Sequence, residues 1–303
     1  MKKFLCLIIF FLFSVVMPVI SANSVKTNDL LTDDEQFSIA KVHQKEEGTV
    51  SLFYPNGKPF STITWKNGLP NGPSYFYYPT GALRLSENRI DGKLNGVFTT
   101  YYENGNRESQ FNYVDDQRQG EALIFYENGN LKQKSQLING KVNGPSMRYY
   151  ESGKLREIVP HSHDKREGEA IGYYEDGTML TKMKFHDDKK NGEETIYHRN
   201  GNIKSKIHFI NDSMEGKVIY YYDDGKLLSE AQCVNNKLEG EVKRYHPNGI
   251  LGQKLNFSNG QLNGKAMYYF ESGNLNGIIN YKDGHRLDFI KYDEKGNIVK
   301  EQN

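Results

Sequence analysis

The sequence predicts an all-β protein: an elongated single sheet of antiparallel β-hairpins, built from about ten 24-residue repeats. Two observations carry that expectation. Gly57, Gly81, Gly105, Gly129, Gly153, Gly177, Gly201, Gly225, Gly249 and Gly273 follow one another at a step of 24 residues with no insertion. Gly48, Gly72, Gly96, Gly120, Gly144, Gly168, Gly192, Gly216, Gly240 and Gly264 keep the same step. Self-similarity at a fixed period marks a repeat architecture, in which each unit is stabilised mainly by its neighbours. The composition agrees, because 21 Tyr, 16 Phe and 29 Gly against 9 Pro favour strands and tight turns.

Taken from the start, the chain opens with Lys2 and Lys3, then an apolar stretch over residues 4–17 broken only by Ser14. Pro18 and the small residues Ser21 and Ala22 follow, so residues 1–22 have the layout of a secretory signal peptide. The alternative is an uncleaved anchor, since residues 4–20 are just long enough to cross a bilayer. No second apolar stretch of that length occurs, so no membrane span is expected after cleavage, and the chain is expected to be exported: periplasmic, on an outer surface or secreted. Losing Lys2 and Lys3 takes the 39 basic residues to 37 against 38 acidic ones. A near-neutral chain offers no support for nucleic acid as a partner. Cys6 lies inside the signal, which leaves Cys233 alone and excludes an intrachain disulfide framework. Residues 23–47 are polar and aperiodic and read as a lead-in; the array covers 48–296 and a short tail 297–303.

Each repeat reads as two strands and two turns. Pro55-Asn56-Gly57, Pro79-Thr80-Gly81 and Glu151-Ser152-Gly153 fit a type I turn closed by a left-handed glycine. A two-residue turn would force Thr80 and Ser152 into the left-handed region. That choice places the aromatic residue four before the glycine opposite the residue two after it, as in Tyr77 with Leu83 and Phe125 with Leu131. The outgoing strand alternates, with Ile63/Trp65, Phe111/Tyr113 and Ile207/Phe209 on one side and Lys or Asn between them, so one face packs and the other is wet. A second turn starts at Gly68, Gly92, Asp116, Gly140, Asp164 and their equivalents, where only Gly, Asn and Asp occur. Short connections allow only antiparallel neighbours.

The unit from Gly96 through Thr100-Tyr101-Tyr102 to Gly105, followed by Tyr113, Asp116 and Gly120, resembles the bacterial variant of the MORN repeat. The chain is similar to the proteins grouped as YwqK-family antitoxins of toxin–antitoxin systems. The resemblance implies a MORN-like binding scaffold, and the partner expected for it is a protein, a toxin or a surface protein.

Three places invite a chemical reading. His161, His163 and Asp164 have metal-ligand chemistry at close spacing, and an enzyme with a site there is the remotest alternative. Yet Asp164 falls in the turn slot and His161 where other repeats carry an aromatic residue. His186 stands two residues before Asp188, which again falls in the turn slot, and Cys233 takes the slot of Phe209 and Phe257. No catalytic residue, metal or cofactor is assigned. The stronger candidate is a column one residue before each first turn: Tyr78, Tyr102, Tyr126, Tyr150, Tyr174, His198, Tyr222 and His246. The reading places this column, with Lys132, Arg156, Lys182, Lys204 and Lys206, on the face away from the packed side. Rings about 10 Å apart suit a protein partner or, as the alternative, association with an envelope, glycan or lipid surface.

Overall fold

The computed structural model describes residues 47–299. The chain divides between residues 46 and 47 into two units, and the second carries the fold. The expected signal peptide and most of the lead-in therefore lie outside the described residues. Glu47 is tied to the first hairpin, since its carboxylate accepts the Asn67 N–H at 2.7 Å.

All described strands belong to one 26-stranded sheet. Each long strand inside the sheet pairs antiparallel with the long strands before and after it, as Leu69–Tyr77 does with Pro59–Lys66 and with Leu83–Ile90, and the two-residue strands such as Lys93–Leu94 pair with the strand before them. The result is a meander with the single-sheet, all-β architecture that the glycine series predicts. The first turn has the expected form: Gly57 N–H donates to the Tyr54 carbonyl, Tyr54 N–H to the Lys58 carbonyl, and Gly57 has φ +79°. The expected cross-strand pairs are also present, with Tyr77 opposite Leu83 and Phe125 opposite Leu131.

The second turn begins one residue earlier than the sequence suggested. Lys66 pairs with Leu69, so Asn67 and Gly68 form a two-residue loop, with φ of +53° and +72°. Positive φ at both positions is a type I′ turn, whose twist matches the flanking strands. The same pair recurs as Asp115/Asp116, His163/Asp164, Asp187/Asp188 and Asn211/Asp212. Asn and Asp tolerate this region because their short polar side chains bond locally.

The packed face collects outgoing and incoming residues in alternation. One cluster joins Met183, Ile207, Phe209, Met214, Val218 and Cys233, and the next joins Ala231, Val242, Leu255, Phe257 and Ala266. Toward the start, Leu85 and Phe98 are each 1% exposed. The array also runs slightly past its expected end. Tyr292 bridges to Ile298, and Val299 N–H donates to the Lys291 carbonyl, so part of the expected tail is hydrogen-bonded to the sheet.

Every repeat also departs from regular pairing, and bulges of this kind bend and twist a strand. One departure accompanies the second glycine series: Phe111 pairs with Ala122 but Tyr113 with Arg118, and Gly120 lies between them at φ +77°. At the equivalent Gly72, φ is +114° and an added Cβ would sit 3.2 Å from Thr64 Cγ2. Gly120 has nothing within 4 Å of that position. Gly120→Ala is therefore expected to cost about 1–2 kcal/mol of backbone strain, and Gly72→Ala more than that. Urea unfolding of the two variants in parallel checks both the sign and the order.

Candidate functional site

A second departure in each repeat sets which side chains reach solvent. Phe76 pairs with Leu85, but Tyr77 pairs with Leu83, so Arg84 is an extra residue on the outgoing strand. The same shift occurs at Glu108, Lys132 and Arg156. Leu83 and Leu85 share a parity in the sequence yet lie on opposite faces, because the bulge consumes one step of the alternation. The expected faces of the two aromatic columns are thereby exchanged. Tyr77 and Leu83 lie on the outer face, whereas Tyr78 follows Phe76 onto the packed side.

The candidate column is assembled in register as expected, but on the other face from the one expected, and its polar tips are engaged. The hydroxyls of Tyr78, Tyr102, Tyr126, Tyr150, Tyr174 and Tyr222 donate to the carbonyls of Tyr101, Phe125, Tyr149, Tyr173, Tyr197 and Tyr245, at 2.7–2.9 Å. Each bond reaches 23 residues along the chain, into the next repeat. His198 Nε2 makes the same contact with the Tyr221 carbonyl at 3.1 Å, and His246 Nε2 with that of Tyr269 at 3.0 Å. An imidazole N–H thus replaces a phenol O–H without loss of the bond. The rings are half-buried beneath the bulged residues. Arg84, Lys132 and Arg156 lie 5.9, 5.4 and 5.8 Å from the centroids of Tyr78, Tyr126 and Tyr150, and Arg199 lies 4.7 Å from that of Tyr174. Burial is the first cause that raises the Tyr78, Tyr102 and Tyr150 phenols above their ordinary pKa. At position 252 the bulged residue is Gly, and a Cβ there would meet His246 Nε2 at 2.8 Å.

The opposite edge is held by a clasp. Asp116 N–H donates to the Leu94 carbonyl at 3.0 Å, while its carboxylate accepts the Leu94 N–H at 2.8 Å. Asp164 does the same to Val142, and Asp188 to Arg166. Where the slot holds glycine, as at Gly140, the backbone bond to the Arg118 carbonyl remains.

The clasp accounts for most of the histidine cluster. Asp164 is a clasp residue and His163 the left-handed residue before it, with φ +50°. His161 sits in the packed column, half-buried, with Nδ1 2.9 Å from the Val159 carbonyl oxygen. Among the described residues no three His, Cys, Asp or Glu side chains are grouped so as to hold a metal ion. His186 instead meets Glu167 at 2.9 Å. Cys233 lies in the packed cluster, where burial raises its thiol pKa, so at neutral pH it stays a poor nucleophile.

The outer face is the accessible one. Tyr77, Tyr101, Tyr149, Tyr173 and Tyr197 run along it, half-exposed, each opposite an aliphatic residue or Arg107. Phe125 in the same column is covered by Arg107, 4.5 Å from its centroid. Lys182 pairs here with Glu169 at 3.0 Å and Lys206 with Glu193 at 3.2 Å. Of the basic residues expected beside the candidate column, these two belong to the outer face, while Lys132 and Arg156 cover tyrosine rings on the packed side. The sequence signal for the outer column is the aromatic residue that every repeat carries at this position, and the bulge places it on the outer face.

Two outcomes follow. Tyr126→Phe keeps the ring under Lys132 and removes only the bond to the next repeat, so it is expected to cost about 1 kcal/mol, read as a lower thermal midpoint. The second outcome concerns acid. Burial first, then Arg148 and Arg166, lower the His161 pKa, against the Val159 carbonyl and Asp188. The fold thus holds His161 neutral while the unfolded chain takes up a proton near pH 6.5. Stability is lost as pH falls from about 6.5 through the depressed folded value, and is unaffected above. His161→Phe, the residue type at Phe185, should flatten that part of the profile in urea midpoints between about pH 4 and 7.

No curated protein matches the chain. Solved structures that align with it include one described as "Crystal Structure of TcdB2-TccC3", at 14% identity over 83% of this chain, with a TM-score of 0.18. Another is "Crystal Structure of TcdB2-TccC3-Cdc42", at 10% identity over 88% of this chain, with a TM-score of 0.17. The chain spans 18% of the length of each, and likeness at this level carries no inference about it. No helix among the described residues is long and apolar enough to cross a membrane. The MORN repeat variant family model, by contrast, matches nine times, at residues 46–67, 94–115, 118–139, 142–163, 166–187, 190–211, 214–235, 238–259 and 262–283. The unmatched stretch 70–91 carries the same turn at Gly81 and the same Tyr77–Leu83 pair. On these nine matches and the repeated hairpin geometry, the chain belongs to the MORN repeat variant family.

Proposed function

We propose that the protein is an exported, non-enzymatic scaffold that binds a protein partner through the outer face of its sheet, in the manner of an antitoxin or a surface adaptor. The observation that carries this reading is the division of labour between the two faces. The packed side and both turn edges spend their polar groups on joining one repeat to the next. The outer side presents a regular row of half-exposed tyrosines beside Lys–Glu pairs. Tyrosine combines a large apolar body with a polar tip, which makes it a frequent anchor of protein interfaces. Export rests on the layout of residues 1–22, and N-terminal sequencing of the exported chain is expected to begin at Asn23.

The test compares two immobilised forms of residues 23–303 against the envelope fraction of the source cell. One is the parent, and the other carries Tyr101→Ser, Tyr149→Ser, Tyr173→Ser and Tyr197→Ser. A protein retained by the parent and lost by the variant, with circular dichroism unchanged, supports the reading. Retention that survives protease treatment of the envelope points to a glycan or lipid surface and removes the protein-partner reading.

A further inference from the structure

One stretch of the outer face, in the middle of the array, departs from the strands on either side of it. A row of cross-strand neighbours crosses this face, and as far as Lys243 its apolar members stand mostly singly among polar or charged ones: Thr62, Tyr75, Ser86, Thr99, Gln110, Leu123 and Lys134 on one side, and Lys182, Thr195, Lys206, Ile219, Glu230 and Lys243 further on. Between Lys134 and Lys182 the row becomes Met147, Ile158 and Ile171, directly opposite one another on three successive strands and all half-exposed. The next row there carries Pro145 opposite Pro160, and the row on the other side carries Tyr149 opposite Leu155. Lys134 with Glu121, and Lys182 with Glu169, form ion pairs at the two margins. An apolar centre with a charged rim is the anatomy of a binding patch.

We propose that this patch is the docking site for a single amphipathic helix of the partner protein, a proposal that rests on the scaffold reading above. Three features select that occupant. Strands in the middle of the sheet have both edges paired, so a ligand cannot join by backbone hydrogen bonds and must bring side chains to the face. The patch is small even with its charged margins: five strands at about 4.8 Å by four residue steps at about 3.3 Å give on the order of 300 Å². A second copy would need about 800 Å² per partner for a stable interface. A helix about 10 Å wide fits that footprint, and about 16 residues at 1.5 Å rise span its 24 Å width. Such a helix would carry apolar residues at i, i+3, i+4 and i+7 against Met147, Ile158 and Ile171, with polar residues over the two ion pairs.

The test uses a displayed library of 16-residue helical peptides with apolar residues fixed at that spacing and all other positions randomised, selected against residues 23–303. The variant is Ile158→Thr with Ile171→Thr, a residue type the same row already carries at Thr62, Thr99 and Thr195. The control is Ile278→Thr, from the apolar run Met267–Ile278–Ile290 at the far end of the row, which lacks the proline pair. Enriched peptides are expected to lose about tenfold or more in affinity with the variant and to keep it with the control. No enrichment, equal binding to parent and variant, or equal loss with the control overturns the proposal. So does a parent dimer in sedimentation velocity that the variant abolishes, because the occupant would then be a second copy. If the selection fails while the four-tyrosine variant still loses a captured partner, the patch is wrong and the scaffold reading stands.

Discussion

The structure depends on the satisfaction of backbone groups between repeats. A meander of hairpins gains only nearest-neighbour contacts, and a one-layer sheet has little interior in which to bury apolar surface. Carbonyls and N–H groups at the ends of the strands would otherwise rely on water. Here one edge is closed by phenol and imidazole donors reaching 23 residues on, and the other by Asp or Asn side chains reaching 22 residues back. Each bond contributes on the order of 1 kcal/mol, but the fixed offsets repeat it along the array. Substituting a donor therefore weakens one junction rather than one residue.

The residue alphabet at the turns follows from the same constraint. The type I′ turn needs positive φ twice, which restricts it to Asn, Asp, Gly and the single His163. Asp or Asn in its second position also supplies the acceptor that completes the clasp, and glycine keeps only the backbone half. His161 and His163 illustrate how a repeat position explains a residue better than its neighbours in sequence do. One fills an aromatic column and the other a left-handed turn, although they stand two apart. Because joining the repeats occupies the packed side and the edges, the outer face is where the chain can vary without breaking a junction. The Met147, Ile158 and Ile171 run is such a variation, placed on three central strands.

The repeat length, the all-β class, the form of the first turn and the Tyr77–Leu83 pairing were all legible in the sequence, because each rests on local chemistry at a fixed offset. A glycine that must be left-handed and an aromatic residue that precedes it leave a periodic trace. The register across the hairpin then follows from the turn, without knowledge of what lies above or below the sheet. What only the tertiary structure decided was which face each column occupies. The bulges at Arg84, Lys132 and Arg156 have no residue signature, since Arg, Lys, Glu and Gly all occur at that position. One extra residue in a strand inverts every side chain beyond it. The tyrosines from Tyr78 to Tyr222 were therefore found as a column by sequence, and only the folded sheet showed that their hydroxyls are spent on the next repeat.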